Sequence, residues 1–177
     1  SRLSRGLGDV YKRQLLEDPY HFWYIGKSYY DSTLGDYPLG MDHIKEYARR
    51  SIFYFGQYLN FKHDYHNTGK AKEIDELAYF ALYAMGDMFK LCGSYEKALD
   101  CGMRAEEFAP SRNEHIVLQA ECYKDLSDFD SMKLQTDRLM NPDRKLPFPQ
   151  YNFLLNMEHY NDSGKYCEEL HQIANQV

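Results

Sequence analysis

Apolar residues recur along this chain at spacings of three and four, the period of one face of an α-helix. The stripes are Phe22, Ile25, Gly26 and Tyr29; Leu82, Met85, Gly86 and Phe89; Ile116, Ala120 and Tyr123; and Phe153, Met157 and Tyr160. After each comes a corner with a small residue, a polar residue and an aromatic: LGDY at 34–37, CGSY at 92–95, LSDF at 126–129 and SGKY at 163–166. Gly93 and Ser127 lie 34 positions apart and Ser127 and Gly164 lie 37 apart, whereas 58 separate Gly35 from Gly93, so the first unit carries an insertion. A second helical stripe follows the corner, clearest in Tyr95, Ala98, Leu99, Gly102, Ala105 and Phe108, with Pro110 to end it.

The small residues have a mechanical purpose. Gly86, Ala98 and Ala105 let paired helices approach where a larger side chain would hold them apart. Gly93 supplies a positive φ that turns one helix back on the other within a few residues. The pattern predicts an all-α, antiparallel helix-pair solenoid of about four repeats, near residues 19–60, 74–110, 112–142 and 150–177. The second helix of the first repeat should be long, over residues 39–60, with a polar loop near 62–72.

This order of residues resembles the tetratricopeptide repeat. Leu82, Met85, Gly86, Phe89, Gly93, Tyr95, Ala98, Ala105 and Pro110 fill the places of its 34-residue pattern. The third unit matches at Ile116, Ala120, Tyr123, Phe129 and Pro142, but has Met132 and Leu139 where small residues are expected, which predicts looser packing. The first fits with an expansion before Gly35 and Gly40 in the small slot; the last has Glu169 in place of Ala and suits a solvent-facing cap. A narrower resemblance spans most of 19–176. WYIGKSYYD, DELAYFALYAMGDM, YEKAL, EFAPSRNE and a final DSGKY are similar to the helical-repeat tail that follows family 2 glycosyltransferase domains, with Pro110, Ser111, Arg112 and Glu114 the most specific piece. That resemblance implies a parent enzyme and supplies no active site within this chain.

Residues 1–14, SRLSRGLGDVYKRQ, have no helical apolar period, and Asp9 to Gln14 resemble a translated sequencing-adapter end. They are read as a disordered or artefactual leader on a fragment whose own N-terminus is missing. Without them the acidic excess grows from −6 to −9. Such a balance disfavours a nucleic-acid binder, and no apolar run is long enough for a membrane span. Four scattered cysteines, Cys92, Cys101, Cys122 and Cys167, form no CxxC pair and read as reduced, packed thiols, which places the chain in the cytoplasm.

Catalytic chemistry finds little purchase. Asp128-Phe129-Asp130 matches the DxD with which glycosyltransferases hold a metal and a nucleotide-sugar, yet it sits in a repeat corner where Asp128 serves as a helix N-cap. His63 and His66 form HxxH in a polar loop with no third ligand. No catalytic residue, metal site or cofactor is assigned. What remains is a concave wall made by the first helix of each pair, one turn from the packing stripe: Tyr20, Trp23, Lys27 and Tyr30; Tyr83, Asp87 and Lys90; Glu121 and Lys124; Glu158 and Asn161. Of these Trp23 also suits packing. Aromatics with alternating charge suit a protein or peptide partner, or a glycan acceptor. The Lys/Asn arrangement by which some tetratricopeptide domains clamp a C-terminal carboxylate is not matched, because Asp87 and Glu121 stand in key places. The expected function is a non-catalytic binding or scaffold module, the tail of a family 2 glycosyltransferase-type protein. The alternatives are a stand-alone enzyme using Asp128 and Asp130, or a purely structural adaptor.

Overall fold

The computed structural model describes residues 19–35, 40–61, 71–141 and 143. The leader, His63 and His66, and the fourth repeat with Glu158, Asn161 and Cys167 lie outside them. The described residues form six α-helices and no strand: α1 (Pro19–Leu34), α2 (Met41–Phe61), α3 (Ala71–Leu91), α4 (Tyr95–Phe108), α5 (Glu114–Asp125) and α6 (Phe129–Leu139). The all-α expectation is met, and α2 matches the long helix read over 39–60. Each helix packs on the next in sequence. In addition α1 touches α3 and α3 touches α5, so the odd-numbered helices form one contiguous row.

Two corners repeat atom for atom in their hydrogen bonding. At the first, Gly93 N–H donates to Lys90 O at 2.9 Å and Ser94 N–H to Phe89 O at 2.8 Å. At the second, Ser127 N–H donates to Lys124 O and Asp128 N–H to Tyr123 O, both at 2.9 Å. This is the Schellman arrangement, in which a left-handed residue lets the next amides close back on the last turn. Gly93 has φ +75° and Ser127 φ +60°. Asp128 then caps α6, its Oδ1 accepting from Ser131 N–H at 3.1 Å. Pro110 follows the end of α4, as its missing N–H requires.

The packing explains the small residues. A Cβ on Gly86 would overlap Leu118 Cδ2, and Ala98 and Cys101 crowd the same spot, so α3, α4 and α5 meet there. A Cβ on Gly26 would lie 2.9 Å from Phe55 Cδ1, and Ser51 Oγ donates to Gly26 O at 3.0 Å across the α1–α2 contact. Met132 and Leu139, larger than the pattern's alanines, are as fully buried as Ala98 and Ala105.

A ring cluster joins the first three helices. Trp23 packs 6.3 Å from Phe55 and 5.4 Å from Phe80 between ring centres, and Tyr30 packs 5.7 Å from Phe80. A second, polar junction joins the last four. The Arg112 guanidinium lies 4.5 Å over the Tyr79 ring and bonds Glu114, while buried His115 sits edge-on to Tyr79 with Nε2 3.8 Å from Glu106, which also pairs with Arg138. The arginine and glutamate of the PSRNE segment thus add a polar tie between α3 and α5 beside the Gly86–Leu118 contact.

Candidate functional site

Contacts advance together along the odd helices, from Trp23–Phe80 to Tyr30–Asp87 between α1 and α3 and from Tyr79–His115 through Gly86–Leu118 to Lys90–Glu121 between α3 and α5, so the three run in one direction and end on the same side. Between the last turn of α1, the C-terminal third of α3 and α5 from Val117 onward lies a cavity of about 610 Å³. Thr33 and Leu34 line it from α1; Tyr83, Asp87, Met88, Lys90 and Leu91 from α3; Val117, Leu118, Glu121 and Asp125 from α5. Its walls are aliphatic and its polar groups cluster on α3 and α5.

Asp87 stands at the centre of that cluster. It accepts from Tyr30 Oη at 2.9 Å and from the Tyr83 phenol, and its other oxygen lies 3.9 Å from Lys90 Nζ. Burial pushes the Asp87 carboxyl up from the usual carboxylate range, against the downward pull of Lys90 and the two phenols. Burial, and then the Asp87 charge, push both phenols well up in turn. Lys90 bridges to Glu121 on the neighbouring helix. Burial would lower the Lys90 ammonium, yet the adjacent Glu121 carboxylate outweighs it and raises it. Asp125 lies 3.8 Å from Lys124 at the outer edge. The lining therefore carries three carboxylates and one ammonium, and that ammonium is held by two of the carboxylates.

Of the residues expected on a concave wall, Tyr83, Asp87, Lys90 and Glu121 meet at this cleft. Tyr30 reaches it only through its hydroxyl. Trp23 and Tyr30 are corrected to the core, being 8% and 7% exposed. The Trp23 indole N–H donates to Leu77 O at 3.1 Å, because α1 is covered by α2 on one side and α3 on the other. Lys27 pairs with Asp31 and lies over Phe80, Lys124 faces Asp125, and Tyr20 is half-buried at the start of α1. None of these three lines the cleft. Missed in the sequence were Thr33, Leu34, Met88, Leu91, Val117, Leu118 and Asp125. For Thr33, Leu34, Met88, Leu91 and Asp125 the signal was the last turn of each odd helix, which the recurring corners locate; Val117 and Leu118, early in α5, carried none.

Among the described residues, no three His, Cys, Asp or Glu side chains converge as a metal would require. None of the described helices is long and apolar enough to cross a membrane. Cys92, Cys101 and Cys122 are free thiols, and burial pushes the latter two up to about 12, where the reactive thiolate is scarce. No protein-family model and no curated protein matches this chain.

Proposed function

We propose that this chain is a non-catalytic binding module of the tetratricopeptide-like kind, a stack of helix hairpins that grips an extended segment of a partner protein in the cleft formed by α1, α3 and α5. The observation that carries the reading is the cleft itself: an open cavity of about 610 Å³, aliphatic on its walls, with a few fixed polar groups, of the size and composition that ligand sites have. The 34-residue recurrence of the corners supports the repeat reading, and the capping role of Asp128 favours a structural DxD over a catalytic one. A glycan acceptor is less well served, since the Trp23 and Tyr30 rings that would stack on a sugar are packed in the core.

On the resemblance to glycosyltransferase tails, we further propose that the module belongs to a longer enzyme and holds a partner near its active site. Recovering the reading frame upstream of Leu15 tests this second part, which a start codon with no enzyme domain would overturn.

The cleft is tested by selecting peptides from a displayed library against the full chain, then measuring their affinity for Val117→Trp and Leu91→Trp variants, which fill it. Retained circular dichroism with binding weakened about tenfold or more is the expected result. Equal binding to both filled variants overturns the cleft as the site.

A further inference from the structure

The cleft described above has a definite electrical sign, and two independent features set it. The first is its side chains. Asp87, Glu121 and Asp125 face the Lys90 ammonium, and Lys124 Nζ lies 3.8 Å from Asp125 at the rim, which leaves a formal excess of one negative charge in a cavity whose other walls are Thr33, Tyr83 and aliphatic side chains. The second is the backbone. Thr33 and Leu34, Lys90 and Leu91, and Asp125 are last-turn residues of α1, α3 and α5, so the C-terminal ends of three parallel helices border one cavity, with the last carbonyls of α3 and α5 bonded to the corner amides. A helix C-terminus carries the equivalent of roughly half a negative charge and favours cations. In a partly enclosed space, screening by salt is weaker than on an open surface.

Resting on the binding-module reading, we propose that the cleft between the C-terminal ends of α1, α3 and α5 takes the side chain of an arginine or lysine from an extended segment of a partner protein. Such side chains have the two halves that this cavity offers to meet. Leu34, Met88, Leu91 and Val117 lie along the aliphatic stem, while Glu121 and Asp125 receive the charged head. Asp87 is the floor: its oxygens are already bonded to Tyr30 and Tyr83, so it contributes field more than contact. Lys90 pairs with Glu121, so an entering cation shares that carboxylate with it and meets its repulsion, which leaves Asp125 the more open of the two acceptors.

The test scores the selected peptides by charge and then measures matched dodecapeptides that differ only in a central Arg, Lys, Leu or Glu. The Arg and Lys peptides should bind at least about tenfold tighter than the Leu peptide, with the Glu peptide weakest, and the preference should shrink as sodium chloride is raised. Asp125→Asn and Glu121→Gln should each weaken the Arg peptide by roughly three- to tenfold and leave the Leu peptide unchanged. Asp125 is solvent-facing, so its variant keeps the fold even if loss of the Lys90–Glu121 pair disturbs α5. Equal binding of Arg and Leu peptides, blocked by Val117→Trp, sinks the basic anchor while leaving the cleft as a site. Peptides indifferent to Val117→Trp and Leu91→Trp sink both readings. Preference for the Glu peptide reverses the sign argued here.

Discussion

Ser127 holds a backbone shape that a side chain resists. Its φ of +60° matches the +75° of Gly93 in the equivalent corner, yet only the glycine adopts such a conformation freely. Ser127→Gly should therefore leave stability unchanged or raise it by about 1 kcal/mol, and Gly93→Ala should lower it by about 1 kcal/mol, both read from urea midpoints. Gly86→Val should be worse, at about 2 kcal/mol or more, because the added carbons must displace Leu118 from between α3 and α5. These glycines were legible in the sequence, since a small residue at a fixed step from a corner has one mechanical reading. Trp23 and Tyr30 were not. Their spacing places them on α1, but a helix covered by two neighbours buries two stripes, and a single chain does not say which residues form the second.

At the scale of the element, helix ends decide more than helix interiors. Asp128 holds the first turn of α6 through Ser131 N–H, so Asp128→Ala should lower stability by about 1 kcal/mol while Asp130→Ala changes little. A catalytic metal pair would instead make the two substitutions equivalent in a sugar-nucleotide turnover assay. The Pro-Ser-Arg-x-Glu segment was recognised in the sequence only as distinctive. Its role became visible once α3 brought Tyr79 under Arg112, a contact between positions too far apart for any periodicity to register. The same limit hid the cleft's apolar lining: Leu34, Leu91 and Val117 sit in sequence among ordinary helix residues, and only the parallel course of three helices gathers them.

Over the whole molecule, acid acts on the polar junction before it acts on the core. Burial works to raise the Glu114 carboxyl, but the Arg112 guanidinium bonded to it prevails and holds it near about 2, below its ordinary 4.5. Glu106 is likewise lowered, the bond from Arg138 overcoming the opposing effect of burial. A group lowered in the folded state stabilises it above the ordinary value and loses that contribution as pH falls toward the folded one. Stability should accordingly drop between about pH 4.5 and 2, and Glu114→Gln should flatten that decline in a series of urea titrations. Asp87 works with the opposite sign, since a carboxyl raised by burial destabilises the ionised fold and is relieved on protonation. Acid should thus empty the cleft of a bound cation while easing its floor.

The paired corners have a consequence for how such a chain changes length. Because the stretch from Cys92 to Asp125 begins and ends at equivalent points of the same turn, a tandem duplication of it would join its neighbours through a bend that already exists, and excision would leave none to be invented. The ruler by which this molecule can grow or shrink is written in its own backbone.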